Sequence, residues 1–260
     1  MRAMYTAATG MDAQTLRIDT IANNLANANT TGFKRSQVDF ADLMYVVMRR
    51  PGGGQTGATQ TPTGLEVGTG VSPVSTLKIF SAGPVSKTEG EFDLAITGPG
   101  FFQVETPTGD TKYTRDGNFR AGADGTVVTT QGYPLFPRLA LPTDATSVSI
   151  GSDGTVAVTT PGSEPTQIGQ LQLVRFANAA GLSSEGANLF AETMASGPPT
   201  AGSPGQQGLG EVKQGYLEMS NVEVVTELVD LIIAQRTYEL NSKVVKAGDH
   251  VLQATNYIVS

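Results

Sequence analysis

Hydrophobic positions divide this chain into three regions with different periods. Between Ala3 and Asn27, the residues Met4, Ala7, Ala8, Met11, Leu16, Ile18, Ile21, Ala22 and Leu25 recur mostly at spacings of three and four. That spacing predicts an amphipathic helix, with an interruption near Gly10. Its apolar face is narrow and rich in alanine. A second helix can approach it closely, but little area is buried, so the helix is marginal alone and needs a partner.

From Val71 to about Leu209 the period is two. Phe92, Leu94 and Ile96 alternate with Glu91, Asp93 and Ala95. Val148 and Ile150 precede a turn and then Val156 and Val158, and Leu171 and Leu173 alternate with glutamines. Asp116-Gly117, Asp124-Gly125 and Asp153-Gly154 punctuate the run. Asp-Gly favours tight hairpin turns whose central residues both reach positive φ. The pattern predicts an all-β region of many short strands, with residues 196–210 as a loop leaving it.

From Gln214 to Ser260 there is no proline, and the glycines are Gly215 and Gly248. This predicts a helix of roughly 66 Å. It carries two apolar stripes. One is Val224, Leu228, Leu231, Tyr238, Val245 and Leu252, interrupted at heptad positions by Gln235, Ser242 and Asp249. The other is Val229, Ile233, Leu240, Val244, Val251 and Ile258. Two faces need more than one partner. Residues 3–27 should close one, and further copies of the chain the other. Leu228, Leu231 and Leu252 then pack within the subunit and Val229, Ile233 and Leu240 between subunits, or the reverse.

The connections are read from their turn chemistry. The asparagines from Asn23 to Asn29 compete for backbone hydrogen bonds, and Gly32 reads as the helix stop. Val38, Phe40, Leu43, Met44, Val46 and Val47 suit a short helix or a strand, ended by Pro51. The run from Gly52 to Gly70 has almost no apolar side chains and buries no core of its own, so neighbours must order it. The resulting fold class is α+β. Long N- and C-terminal helices form a discontinuous, coiled-coil-like pair flanking a mainly β central domain. The segments are 1–35, 36–70, 71–210 and 211–260.

Composition narrows the function. Of 260 residues, 31 are glycine and 14 proline, which suits a turn-rich β region. The net charge of −7 leaves no footprint for nucleic acid, and the pairs Lys34-Arg35 and Arg49-Arg50 are too small to reverse it. The absence of cysteine excludes disulfides and thiolate sites. No apolar run reaches the ~20 residues of a membrane span, and the N-terminus lacks the apolar core of a signal peptide. The single histidine, His250, has no partner at zinc-helix spacing, because Asp249 beside it points to another face. Gly68-Thr-Gly70 and Gly98-Pro-Gly100 are not followed by helices and are poor phosphate cradles. The run Tyr113-Thr-Arg-Asp-Gly-Asn-Phe119 reads as strand–turn–strand with an Arg–Asp pair. No cofactor, metal site or catalytic set emerges. A reading from another class, a carbohydrate- or peptidoglycan-binding β protein, would use Phe101, Phe102, Tyr113 and Tyr133 as exposed stacking platforms; the chain has no tryptophan to add to them.

Several motifs carry a family likeness. The segment Asn23-Asn24-Leu25-Ala26-Asn27 through Gly32-Phe33-Lys34 resembles the N-terminal rod motif of the bacterial flagellar rod and hook proteins. Gln214-Gly-Tyr-Leu-Glu-Met-Ser-Asn-Val222 and Ala234-Gln-Arg-Thr-Tyr-Glu-Leu-Asn-Ser-Lys243 resemble the C-terminal signature of that group. Gly100-Phe-Phe-Gln-Val104 and Tyr113 to Phe119 resemble its shared middle stretches. The length fits the distal rod rather than the hook, which is usually longer and carries an added outer domain. A hook or proximal rod homologue is the alternative within the group. The stretch from Met48 to Val71, with Arg49, Pro51, Gly52, Gly68 and Gly70, resembles a segment that stiffens the distal rod.

The resemblance implies a structural subunit, not an enzyme. Many copies form a hollow helical shaft that transmits torque and is part of the export channel. It implies proximal rod proteins at one end, hook protein at the other, and surrounding peptidoglycan- and outer-membrane-ring proteins. It also implies passage through the flagellar export apparatus without a cleaved signal, to the periplasmic rod. The terminal helices would hold the packing positions Met4, Met11, Leu16, Ile18, Ile21 and Leu25, and their counterparts on the C-terminal stripes.

Overall fold

The computed structural model describes residues 2–49, 63–142, 144–162 and 164–259, with side chains described as far as residue 254. Pro51 and Gly52 lie outside the described residues, and so does the side chain of Ile258. The chain divides into two compact units. One comprises residues 1–25, 36–77 and 224–260, and the other residues 26–35 and 78–223.

The first unit is mainly helical. α1 (Arg2–Ala26) runs through Gly10 without the expected interruption. A Cβ added at Gly10 would lie 2.8 Å from Asn241 Nδ2, so glycine there permits close approach of two helices at a modest cost in propensity. The stretch 36–49, which was open between helix and strand, forms β1 (Ser36–Asp42) and β2 (Val46–Arg49). β2 pairs antiparallel with β3 (Leu65–Val67), and β1 pairs with β4 (Val71–Lys78). The long C-terminal helix begins at Val224, not near Gln214, and ends at Val259. At 36 residues it spans about 54 Å, shorter than expected.

The second unit is the β body. Short strands β5 (Val85–Lys87) and β6 (Leu94–Thr97) lead to β7 (Phe101–Glu105) and β8 (Thr111–Thr114). Then come β9 (Phe119–Ala121), β10 (Val127–Thr129), β11 (Leu135–Phe136), β12 (Ser147–Ile150), β13 (Thr155–Thr159), β14 (Thr166–Gln170) and β15 (Leu173–Arg175). β16 (Ser183–Gly186), β17 (Leu189–Ala191) and β18 (Thr200–Gly202) follow, and β19 (Glu211–Gln214) and β20 (Tyr216–Glu218) close the unit. The C-terminal helix is α2 (Val224–Val259) in this numbering.

The main sheet runs β16-β17-β8-β7-β15-β18, with β11 also pairing β7. Both of its faces are covered. Phe102 and Val104 of β7 enter one apolar cluster, and Phe101 enters a second with Tyr113, Val174, Phe176 and Phe190. In β6, which pairs with β19 outside this sheet, Leu94 and Ile96 enter the first cluster and Ala95 between them is buried as well, where strict alternation was expected.

Asp-Gly turns behave unevenly. Around Asp153-Gly154, Val148 faces Val158 and Ile150 faces Val156 in a hairpin. β9 and β10 form another around Asp124-Gly125. In both, positive φ falls on the glycine and not on the aspartate. Asp116-Gly117 makes no hairpin, because β8 pairs with β7 and β17 while β9 pairs with β10. Gly117 is small because the backbone carbonyl of Leu94 packs where a side chain would stand. The expected exit loop, 196–210, instead docks: β18 joins β15, and Gly210 N–H donates to Pro99 O at 2.7 Å.

Candidate functional site

The motifs singled out in the sequence converge on one buried carboxylate in the β body. Glu218 is 1% exposed. Its Oε1 accepts from Lys34 Nζ at 2.6 Å and from Gly83 N–H at 3.0 Å, and its Oε2 accepts from Arg115 Nη1 at 3.2 Å. Lys34 Nζ also donates to Ser81 O at 2.7 Å, and Arg115 Nη2 to Gly98 O at 2.7 Å. One residue from each of three distant motifs therefore shares a site closed to water. Burial pushes the Lys34 ammonium below its ordinary pKa, opposed by the Glu218 carboxylate. The Arg115 guanidinium is lowered for the same reason.

Backbone contacts tighten this junction. Gly32 N–H donates to the Glu218 carbonyl at 2.8 Å. Gly32 has φ +67°, and a Cβ there would lie 2.5 Å from Asp116 N. Its role is thus close approach, and it is not the helix stop, since α1 already ends at Ala26. Asp116 does not pair with Arg115 as expected. Its Oδ1 accepts from Thr31 Oγ1 at 2.8 Å and from Asn118 N–H at 3.1 Å. Its pKa is raised by burial, against the hydrogen bonds from Thr31, Asn118 and Asn188. Phe33 is buried, with Lys78 Nζ 5.3 Å from its ring centroid. Asn221 adds a further tie: its Oδ1 accepts Arg35 N–H at 2.8 Å, its Nδ2 donates to Ile79 O at 2.8 Å, and Ile79 N–H donates to Arg35 O at 2.9 Å.

The rest of the rod motif works in the helical unit. Asn24 is buried, and its amide bonds the Ser36 backbone in both directions, at 2.8 and 2.9 Å. The same Nδ2 donates to Glu227 Oε2 at 3.2 Å. An asparagine carries both a donor and an acceptor, which a carboxylate cannot offer. Leu25 and Asn27 are half-buried and Asn23 is exposed.

Helices α1 and α2 touch in reverse order. Met4 meets Gly248, Gly10 meets Asn241, Arg17 pairs with Asp230 at 3.0 Å, and Asn24 meets Glu227. On α1, Ala7, Ala13 and Ile21 are buried, Met4, Met11 and Ile18 half-buried, and Leu16 is exposed, off the expected face. On α2 the first stripe splits. Leu231, Val245 and Leu252 are half-buried, whereas Val224, Leu228 and Tyr238 are exposed. The inner line is completed by Glu227, Ala234, Asn241 and Gly248, of which Ala234 is 0% exposed. These four recur every seven residues but are small or polar, so an apolar filter passes over them. The second stripe is exposed throughout its described length: Val229, Ile233, Leu240, Val244 and Val251, with Leu240 at 60% and Val251 at 66%.

In the segment expected to stiffen the assembly, Arg49 ends β2 fully at the surface. Gly68 places its backbone 3.6 Å, measured from an added Cβ, from the Tyr45 ring. Gly70, with φ +131°, packs against Thr9 of α1 so closely that no side chain fits. Met44, Tyr45, Val47, Met48 and Leu65 are exposed around this hairpin. The proposed sugar platform is not available: Phe101, Phe102 and Tyr113 are buried in the core, and Tyr133 is half-buried. Among the described residues, no helix is long and apolar enough to cross a membrane.

Comparison with known proteins follows the same three motifs. Residues 4–34 match the flagella basal body rod protein family, residues 95–158 the flagellar hook protein FlgE/F/G D1 domain, and residues 213–258 the flagellar basal body rod FlgEFG protein C-terminal family. The chain belongs to the flagellar basal-body rod protein family, whose members are structural proteins and not enzymes. Its relatives include the flagellar basal-body rod protein FlgG of Buchnera aphidicola, 49% identical over 96% of this chain and 97% of that one. The FlgG of Borreliella burgdorferi is 45% identical over 98% of each chain, and that of Caulobacter vibrioides 44% identical over the whole of both.

Proposed function

We propose that the chain is a subunit of the distal rod, the hollow helical drive shaft of the bacterial flagellum, acting in the periplasm as part of a homopolymer. The observation that carries this is the second stripe of α2. Five large aliphatic side chains stand in water at helical spacing, in a chain related along its full length to FlgG proteins. Solvent-exposed apolar faces of this extent mark interaction surfaces. The occupant is another copy, with α1 and α2 acting as a coiled-coil-like pair whose outer face meets its neighbours. Proximal rod proteins, hook protein and the surrounding rings are the partners at the ends and outside, and the flagellar export apparatus delivers the chain. The stretch 48–71, of which residues 50–62 lie outside the described residues, stiffens the shaft.

Electron microscopy of the concentrated full-length protein tests this. Tubes are expected from the unmodified chain, and none from the pair Ile233→Asp and Leu240→Asp. Dispersed monomer at every concentration in the unmodified chain would overturn the reading. Deleting residues 52–68 should yield tubes that bend more easily; unchanged stiffness would remove that role from the segment.

A further inference from the structure

The apolar side chain most fully exposed in the β body stands on one of its most firmly braced turns. Met194 is 104% exposed and touches little of its own chain. The turn that presents it is not loose. Thr193 N–H donates to Ser196 Oγ at 3.0 Å, and Ser196 Oγ donates back to Thr193 O at 2.8 Å. Thr193 Oγ1 donates to Gly181 O at 2.6 Å and accepts from Ala195 and Ser196 N–H at 3.1 and 3.2 Å. Asn178 Nδ2 holds Ala195 O at 3.1 Å. Ser196 is completely buried, and a Cβ at Gly181 would lie 2.7 Å from the Ala195 backbone. A scattered exposed hydrophobe is ordinary, but one whose backbone is immobilised by six hydrogen bonds is pre-organised for contact.

The same unit carries a notch of about 350 Å³ on other elements, the β9–β10 hairpin and the approach to β12. It is lined by Phe92, Ala121, Gly122, Leu141, Ala145 and Val148 among others. Small residues make room, and Phe92 offers a ring to a thioether. We propose that Met194 of one copy inserts into this notch on the next copy, as a lateral contact between β bodies. Knob and notch lie on different elements, so the contact is heterologous, the kind that propagates into helical arrays. An uncharged knob suits copies that each carry a net charge of −7. The inference rests on the polymer reading above and adds one of its contacts.

The chain contains no cysteine, so an engineered pair reports cleanly. In assembled tubes of Met194→Cys with Ala145→Cys, oxidation should give a ladder of disulfide-linked oligomers that neither single variant gives. Independently, peroxide treatment of the unmodified protein should oxidise Met194 in the monomer and spare it in the tube. Met194→Gln should raise the concentration needed for assembly by roughly tenfold to a hundredfold, with Met194→Leu close to the parent. Tubes without a ladder, in which Met194 oxidises as fast as in the monomer, would overturn the contact and leave the rod reading standing. Failure of the unmodified chain to form tubes would overturn both.

Discussion

The two units of this chain keep their hydrophobic residues in opposite ways. In the β body, Leu94, Ile96, Phe102, Val104, Leu173 and Val174 are each at or below 1% exposure, and even the charged Lys34 and Glu218 are enclosed. In α2, Ala234 is the one hydrophobic residue that is buried among the described side chains, while Val225, Val229, Ile232, Ile233, Leu240 and Val251 face water. One unit satisfies itself, and the other is completed by what it meets. Stability and assembly should therefore respond to different substitutions.

The largest effect is expected at Glu218. Glu218→Ala strands two buried cations and should cost about 3–5 kcal/mol, read by chemical denaturation of the full chain. A loss below about 1 kcal/mol would mean that the junction is wetter than it looks. Next is Asn24→Ala, which removes two bonds to the Ser36 backbone and one to Glu227 and should cost about 1–3 kcal/mol in the helical unit. Hydrogen exchange at Ser36 should quicken while the β7 and β15 amides stay protected.

A third test uses alkaline pH. Burial, assisted by the neighbouring Glu192 carboxylate, pushes the Tyr113 phenol up from 10.0 to about 12. The folded pKa is raised, so this group's contribution is full below pH 10 and is lost as pH rises toward 12. The loss should reach about 2 kcal/mol, and Tyr113→Phe should flatten it. The smallest effect on the monomer is expected from Ile233→Asp with Leu240→Asp, within about 0.5 kcal/mol for each exposed site, even though this pair should abolish the polymer. Loss of monomer stability by several kcal/mol would break the contrast between the units.

Much of this architecture was legible in the chain, for identifiable reasons. Val148, Ile150, Val156 and Val158 announced a hairpin because alternation and a turn dipeptide agreed. Spacing marks two stripes on α2 but leaves open which of them faces outward. It does not mark the inner line of α2, because Ala234, Asn241 and Gly248 fit by being small or hydrogen-bonding, and periodicity of apolar residues is blind to both. The helix start was misplaced because Tyr216 and Leu217 continue the apolar run, although they belong to a strand beside β5. Phe101 and Phe102 looked like exposed platforms only under the assumption of a one-sided sheet. Glu218 could not have been matched to Lys34 and Arg115 by any local rule, since its partners are 184 and 103 residues away.

Asn221 carries a consequence for mechanics. The chain enters or leaves the β body at four points, near residues 26, 35, 78 and 223. Arg35, Ile79 and Asn221 are fastened to one another by backbone and amide hydrogen bonds. A pull on the chain at residue 35, 79 or 221 is thereby divided among these three segments of the β body. Bonds that share force in parallel rupture together, at a higher load than bonds pulled one after another. A single amide side chain thus acts as a splice in the cable.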